Sequence, residues 1–258
     1  MTAPAPRALL LDFYGTIAHG PGFSVRRGSD LICDSLRADG IAVDSAAFDA
    51  AYRKAVLPYL EVMRSGRETH NTAWVADALS ALDLCLAASD ARVVRAVRAY
   101  FEAYADLMEP LPGATETLAA LAGRYPVVLV SNFTDALPVR ASLDRFGWNR
   151  FFRASFVSAE IGIRKPHRDI FLRALSAVGC EPSGALFVGD DLEEDIAGAK
   201  AVGIPAVHVS RPRASALRAM SPPIAATVAP DHTIADITEL PALLESAATA
   251  VDLARQDA

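Results

Sequence analysis

Ala8-Leu9-Leu10-Leu11-Asp12-Phe13-Tyr14-Gly15-Thr16 is the stretch on which the fold turns. Four apolar residues run together and end on a carboxylate. A run this short, without polar alternation, suits a strand covered on both faces, as in a parallel sheet. Gly15 permits a sharp turn after it. The arrangement recurs further along. Pro126 to Ser131 reads as a strand ending at Ser131 and Asn132, and Ala185 to Gly189 as one ending at Asp190 and Asp191. In open parallel sheets ligands bind beyond the carboxyl ends of the strands, so these end residues are the candidates for chemistry.

Between the first strand and the others, from about residue 24 to 109, the chain reads as helical. Asp44 and Ser45 can cap a helix that carries Phe48, Tyr52, Val56 and Leu60 at helical spacing, with Pro58 predicting a kink or break. Thr72 to Leu86 is rich in Ala and Leu. Ser89 and Asp90 precede a stripe of Val93, Val97, Tyr100, Phe101 and Tyr104, and no convincing strand lies in this stretch. From Pro110 onward helix and strand alternate. Helices are expected over Thr115–Ala122, Asp135–Phe146, Arg168–Val178 and Asp195–Val202. Strands are expected over Pro126–Ser131, Ala154–Val157, Ala185–Gly189 and Pro205–Ser210. Such alternation marks βα units and a parallel sheet. Residues 211 to 230 read as an irregular surface excursion, Thr233 to Ile237 as a last edge strand, and Pro241 to Ala254 as a closing helix. The expectation is an α/β protein: a parallel-sheet core over residues 1–17 and 111–258, interrupted by a helical insert over residues 18–110.

The 258 residues are 52% hydrophobic and 22% charged, enough to bury a sizeable core. A net charge of −6 gives no basic surface for nucleic acid. The first residues lack the pattern of a signal peptide, and no apolar run approaches the ~20 residues that span a bilayer. A cytoplasmic location is the default expectation. Cys33, Cys85 and Cys180 are widely spaced and read as buried reduced thiols.

Four clusters fall in order along the chain: Asp12-Phe13-Tyr14-Gly15-Thr16, Ser131-Asn132, Lys165-Pro166, and Gly189-Asp190-Asp191 through Asp195. Together they resemble the four motifs of the haloacid dehalogenase superfamily, and the helical insert resembles the cap of its helical-cap members. The resemblance implies a Rossmann-like core with an inserted cap, and a hydrolase in which Asp12 is the nucleophile that forms a covalent aspartyl intermediate. It further implies Mg²⁺ held by Asp12, Asp190 and the Tyr14 backbone carbonyl. Lys165 would offset negative charge, while Gly15, Thr16, Ser131, Asn132 and Lys165 would bind the phosphoryl group. Asp191 and Asp195 would support the metal site. The implied partner is a small phosphorylated metabolite, not nucleic acid or a membrane.

Taken singly, each residue has a plainer reading. An Asp after a strand is often a turn residue, Ser131-Asn132 an ordinary turn pair, and Lys165 a solvated lysine. Glu193 and Glu194 are expected only as an acidic helix start favoured by the helix dipole, and His167 as a loop residue. In the cap, Arg53, Arg64, Arg67, His70 and Asn71 either face the cavity or form a solvated helix face.

One position departs from the phosphatase pattern. Phosphatases of the superfamily carry a second aspartate two residues after the nucleophile, where this chain has Tyr14. A phenol titrates near ~10 in water and is a poor match for acid–base work near neutrality. Tyr there is similar to the metal-independent 2-haloacid dehalogenase branch. Tyr52-Arg53, followed by Tyr59, resembles that branch's halide-binding cap segment, although Phe171 stands where a tyrosine would follow the lysine. Asp190 and Asp191 do not fit that branch, because adjacent carboxylates without a cation repel. The expectation is therefore a Mg-dependent phosphatase. A 2-haloacid dehalogenase is the alternative, and a catalytically weakened binding protein of the same fold is a third.

Overall fold

The computed structural model describes residues 5–22, 24–211 and 228–246. Strand β1 (Ala8–Leu11) leads the chain and is buried at all four residues. A two-residue strand β2 (Ala18–His19) pairs antiparallel with β3 (Glu109–Pro110), so the two ends of the helical insert leave and return side by side. Sequence reasoning found no strand here, because two residues carry no period. The insert holds α1 (Val25–Ala38), α2 (Ser45–Arg64), α3 (Asn71–Ser80) and α4 (Ala91–Asp106). Ser24, Asp44 and Asp90 cap three of them by accepting from a backbone N–H in the first turn. Their apolar faces meet in a core of Ile32, Phe48, Val56, Trp74, Val97 and Phe101, separate from the core around the sheet.

Pro58 does not break α2, which runs from Ser45 to Arg64. Lys54, whose carbonyl loses its donor, and Pro58 itself are both exposed, so the orphaned group can turn to solvent.

Beyond the insert come α5 (Ala114–Ala122), β4 (Val127–Ser131), α6 (Leu137–Arg145), β5 (Ala154–Val157) and α7 (Ser158–Ile161). They are followed by α8 (Arg168–Val178), β6 (Ala185–Gly189), a π-helical segment Leu192–Ala197 running into α9 (Gly198–Ala201), β7 (Ala206–Val209) and β8 (His232–Ile234). The π-helical turn starts three residues before the helix expected at Asp195, because the Asp191 carboxylate caps it from Glu193 and Glu194. Residues 240–246 are helical. The remainder of the expected closing helix, and residues 212–227 of the expected excursion, lie outside the described residues.

The sheet order is β5-β4-β1-β6-β7-β8, parallel throughout. Leu9 and Leu11 face one layer with Leu118, Leu129, Leu143 and Val188. Leu10 faces the other with Val128, Phe171, Leu175 and Phe187. Burial on both faces explains the unbroken apolar runs. From β1 the chain goes out to β4 and β5, then returns to β6 on the opposite side. That reversal puts the carboxyl ends of β1, β4 and β6 at a topological switch point, where a crevice opens. Among the described residues no helix is long and apolar enough to cross a membrane. Cys33 and Cys180 are buried as expected, whereas Cys85 is exposed.

Candidate active site

Asp12, Ser131, Asp190 and Asp191 follow or end the three central strands and are all buried. Lys165 reaches the same place from the loop after β5. Its side chain is 1% exposed. Its Nζ lies 2.6 Å from Asp12 Oδ1, 2.6 Å from Asp195 Oδ1 and 2.8 Å from the Val130 carbonyl. The contacts with Asp12 and the Val130 carbonyl are hydrogen bonds, and that with Asp195 is an ion pair. The Phe187 ring centroid lies 5.4 Å from Nζ. The reading of Lys165 as a solvated lysine is thereby excluded. Burial alone would push the ammonium's pKa down, but Asp12 and Asp195 outweigh it and hold the pKa raised.

Asp12 is gripped from its other side as well. Thr16 Oγ1 donates to Asp12 Oδ2 at 3.2 Å, from a fully buried position. The turn that brings Thr16 round depends on Gly15, at φ +91°, a conformation that favours glycine. Gly15 has a second duty: a Cβ there would overlap the Asp190 carboxylate. Ser131 Oγ is buried without a hydrogen-bond partner. A lone buried hydroxyl at the crevice is costly unless something binds it.

Asn132 is tied to the Lys165 backbone. Its Oδ1 accepts from the Lys165 N–H at 2.8 Å and its Nδ2 donates to the Lys165 carbonyl at 2.9 Å. Both side-chain atoms are engaged in fixing the lysine's backbone. Asp191 accepts from the Glu193 and Glu194 N–H groups, each at 2.9 Å. Asp195 Oδ2 accepts from the Asp191 N–H at 3.0 Å, and the carboxylate lies against Gly189, where a Cβ would overlap it.

Asp12, Asp190 and Asp195 offer carboxylate oxygens within 4.8 Å of one another. Burial pushes the Asp195 carboxyl up; Lys165 opposes this, and Asp12, Asp190 and Asp191 add to it. An all-oxygen, buried, net-negative set of this kind fits a hard divalent cation. The absent Cβ at Gly15 fits it too, by letting Asp190 approach the Tyr14–Gly15 backbone.

Tyr14 points its ring into an aromatic group at the seam between insert and sheet. Ring centroids lie 6.3 Å from Tyr104 and 6.4 Å from Phe133, and those two are 5.5 Å apart. Of the insert's polar residues, Arg53 pairs with Asp49 at 2.9 Å on an exposed face, and Arg64 pairs with Glu61. Arg67 and His70 are exposed. Asn71 is buried, and its Nδ2 donates to the Tyr52 hydroxyl at 3.1 Å. His167 caps α8 by accepting from the Asp169 N–H at 3.3 Å.

Sequence reasoning missed a charged group beside this site. Arg164 donates to Glu68 and to Glu194, each at 3.1 Å. Glu194, expected only as a helix-start acid, is thus part of an ion-pair network. No local spacing announces residues 96 positions apart.

The model of the haloacid dehalogenase-like hydrolase family matches residues 6–203. The glyceraldehyde 3-phosphate phosphatase of Methanopyrus kandleri is 35% identical over 121 residues, 46% of this chain and 51% of that protein. The ribulose-1,5-bisphosphate 5-phosphatase of Halopiger xanaduensis is 34% identical over 143 residues, 55% of this chain and 59% of that protein. The chain therefore spans little more than half the length of these curated relatives. In structure, the 2-haloacid dehalogenase of Pseudomonas syringae superposes with a TM-score of 0.67 at 20% identity, covering 93% of this chain and 99% of that one. At that identity the likeness is one of fold.

Proposed function

Because the chain belongs to the haloacid dehalogenase-like hydrolases, we propose that it is a phosphatase of a small phosphorylated metabolite, with Asp12 as nucleophile. The observation that carries this reading is the Asp12 carboxylate held between Lys165 and Thr16, with Asp190 and Asp195 within 4.8 Å. The phosphatase names of the relatives above support it. Residues 18–110 act as the cap over the crevice, and residues 1–17 with 111–258 as the catalytic core.

Thr16 and Lys165 hold and aim Asp12, so one of its carboxylate oxygens attacks phosphorus. Ser131 Oγ and the Lys165 ammonium meet the phosphoryl oxygens. Asn132 orients Lys165 beside the phosphoryl group. Asp12, Asp190 and the Tyr14 carbonyl would hold Mg²⁺, with Asp191 and Asp195 in support. The ion, when bound, neutralises charge on the transferring phosphoryl group. Adding Mg²⁺ to the protein is expected to raise Tm, because the ion relieves the mutual repulsion of these carboxylates. Asp190→Asn removes most of that gain, and thermal melts with and without EDTA read it.

The acid–base position two residues after Asp12 is occupied by a ring packed on Tyr104 and Phe133. Departure of an alcohol, and hydrolysis of the aspartyl phosphate, then lack the proton donor and base that an aspartate at this position supplies. Aryl phosphates, whose leaving groups need no proton, are expected to turn over faster than alkyl phosphates. Tyr14→Asp is expected to raise kcat on alkyl phosphates about tenfold or more. The same change lowers Tm, because it removes an aromatic ring from the seam. Equal aryl and alkyl rates in the unmodified protein, with no gain in the variant, would contradict this assignment.

Tyr14 also favours the dehalogenase reading, but the pairing of Arg53 with Asp49 and the retained Asp190 and Asp195 oppose it. Phosphate release from p-nitrophenyl phosphate and halide release from 2-chloropropionate, each with Mg²⁺ or EDTA, separate the two. Phosphate release that needs Mg²⁺ supports the phosphatase. Halide release in EDTA supports the dehalogenase. Neither activity, with ligand binding that survives Asp12→Asn, supports a binding protein.

A further inference from the structure

We propose that Glu68, on the cap, is a positioning residue: through Arg164 and Ser158 it sets the loops that carry Asn132, Lys165 and Asp195. The inference rests on the phosphatase reading above. The Glu68 side chain is 0% exposed and that of Arg164 is 7% exposed. One carboxylate oxygen accepts from Arg164 Nη1 at 3.1 Å, and the other from Ser158 Oγ. Ser158 Oγ in turn accepts from the Phe133 N–H at 2.9 Å, one residue beyond Asn132. The other arm of Arg164, Nη2, donates to Glu194 at 3.1 Å, one residue before Asp195. Arg164 itself adjoins Lys165. All three loops that follow β4, β5 and β6 are therefore tied to one cap carboxylate.

The cap segment is also seated by backbone. The Glu68 N–H donates to the Gly162 carbonyl, and the Arg164 N–H to the Gly66 carbonyl, each at 3.0 Å. Gly66 takes φ +81°, and a Cβ there would overlap His167, so the segment lies directly on the Lys165 loop. Those contacts would hold the segment without any charge. A buried ion pair adds little net stability over apolar packing of the same shape, since desolvation offsets its attraction. What it adds is direction. The guanidinium is a rigid fork, and Glu68 and Glu194 fix its two arms. Lys165 Nζ must meet Asp12 and Asp195 together, and a shift of about 1 Å there costs on the order of 10²-fold in rate.

Glu68→Gln keeps the shape and removes the charge. The expected result is a fall in kcat of about 10- to 100-fold, with KM changed less than about threefold, the signature of an interaction felt in the transition state. Glu68→Asp, which keeps the charge on a shorter arm, retains more of kcat. Arg95→Gln, which removes a surface pair with Asp39 elsewhere on the cap, leaves kcat unchanged. Hydrogen exchange followed by mass spectrometry supplies a readout that needs no turnover. In Glu68→Gln, exchange is expected to rise in residues 131–134, 158–165 and 191–195 as well as in 66–70. Faster exchange confined to 66–70, or an unchanged kcat, would overturn the proposal. If the unmodified protein hydrolyses no phosphate ester, the phosphatase reading fails by itself, and the exchange pattern still decides whether Glu68 sets the three loops.

Discussion

Asp12→Asn is expected to lower phosphate release by about 10³-fold or more and to leave the fold standing. The loss follows from chemistry at one atom. Attack on phosphorus needs an anionic oxygen lone pair, and a carboxamide has none to give. The surviving fold follows from the neighbours. Asn has the shape of Asp, its amide oxygen can still accept from Lys165 while its NH2 donates to the Thr16 hydroxyl, and Lys165 keeps Asp195 at 2.6 Å and the Val130 carbonyl at 2.8 Å. Removing one negative charge from the group of Asp12, Asp190 and Asp195 also lowers their repulsion. A thermal melt of the variant is expected within a few degrees of the unmodified protein. Initial rates on an aryl phosphate, set beside that melt, separate a lost nucleophile from a lost fold.

Lys165→Met has the second large effect, and it strikes activity and stability together. Methionine fills the channel beside Phe187 but leaves the Asp12 and Asp195 carboxylates, 8% and 1% exposed, without their cation. Breaking a buried pair by removing one partner costs about 3–5 kcal/mol, because the orphaned charge stays buried. On the proposed function, activity is expected to fall by about 10²- to 10³-fold, because the phosphoryl charge loses its organised donor. The pH dependence is diagnostic. The Lys165 ammonium has a raised pKa when folded, against about 10.4 for an unperturbed lysine. Its contribution to stability is fully present below that unfolded value and is lost as pH rises through the higher folded one. The unmodified protein should therefore lose this increment only in strong alkali. Lys165→Met lacks the increment at neutral pH and shows no such alkaline loss. Urea melts at neutral and alkaline pH measure both.

How far the sequence announces this molecule depends on how local each signal is. The strand Ala185–Gly189 and the helix Arg168–Val178 fall where residue patterns put them. The helix has a cap at His167 and a left-handed stop at Gly179, both written in adjacent residues. The convergence of Asp12, Ser131 and Asp190 was legible because strand ends in a parallel sheet share one edge, while Lys165 was legible only through the motif it resembles. The β2–β3 pair was not legible, because two residues on each side of a helical insert have no periodicity. Asn132 reads as a polar turn residue in sequence, and only geometry shows both its amide atoms on Lys165. Glu68 and Arg164 stand 96 positions apart, and their pairing depends on how the helical insert seats on the sheet's loops. Tyr14 marks a real departure at sequence level, and its packing against Tyr104 and Phe133 explains what the ring does there.

The central claim is that Asp12 becomes covalently phosphorylated. The absence of a base at Tyr14 slows hydrolysis of that intermediate, so it should accumulate during turnover of a good substrate. The most direct measurement is to quench the protein with acid during turnover of p-nitrophenyl phosphate in Mg²⁺, reduce with borohydride and sequence the peptides by mass spectrometry. Borohydride converts an aspartyl phosphate to homoserine, and the expected result is homoserine at position 12 that disappears without substrate. Phosphate released at a steady rate with Asp12 unmodified, or homoserine at another aspartate, would contradict the account.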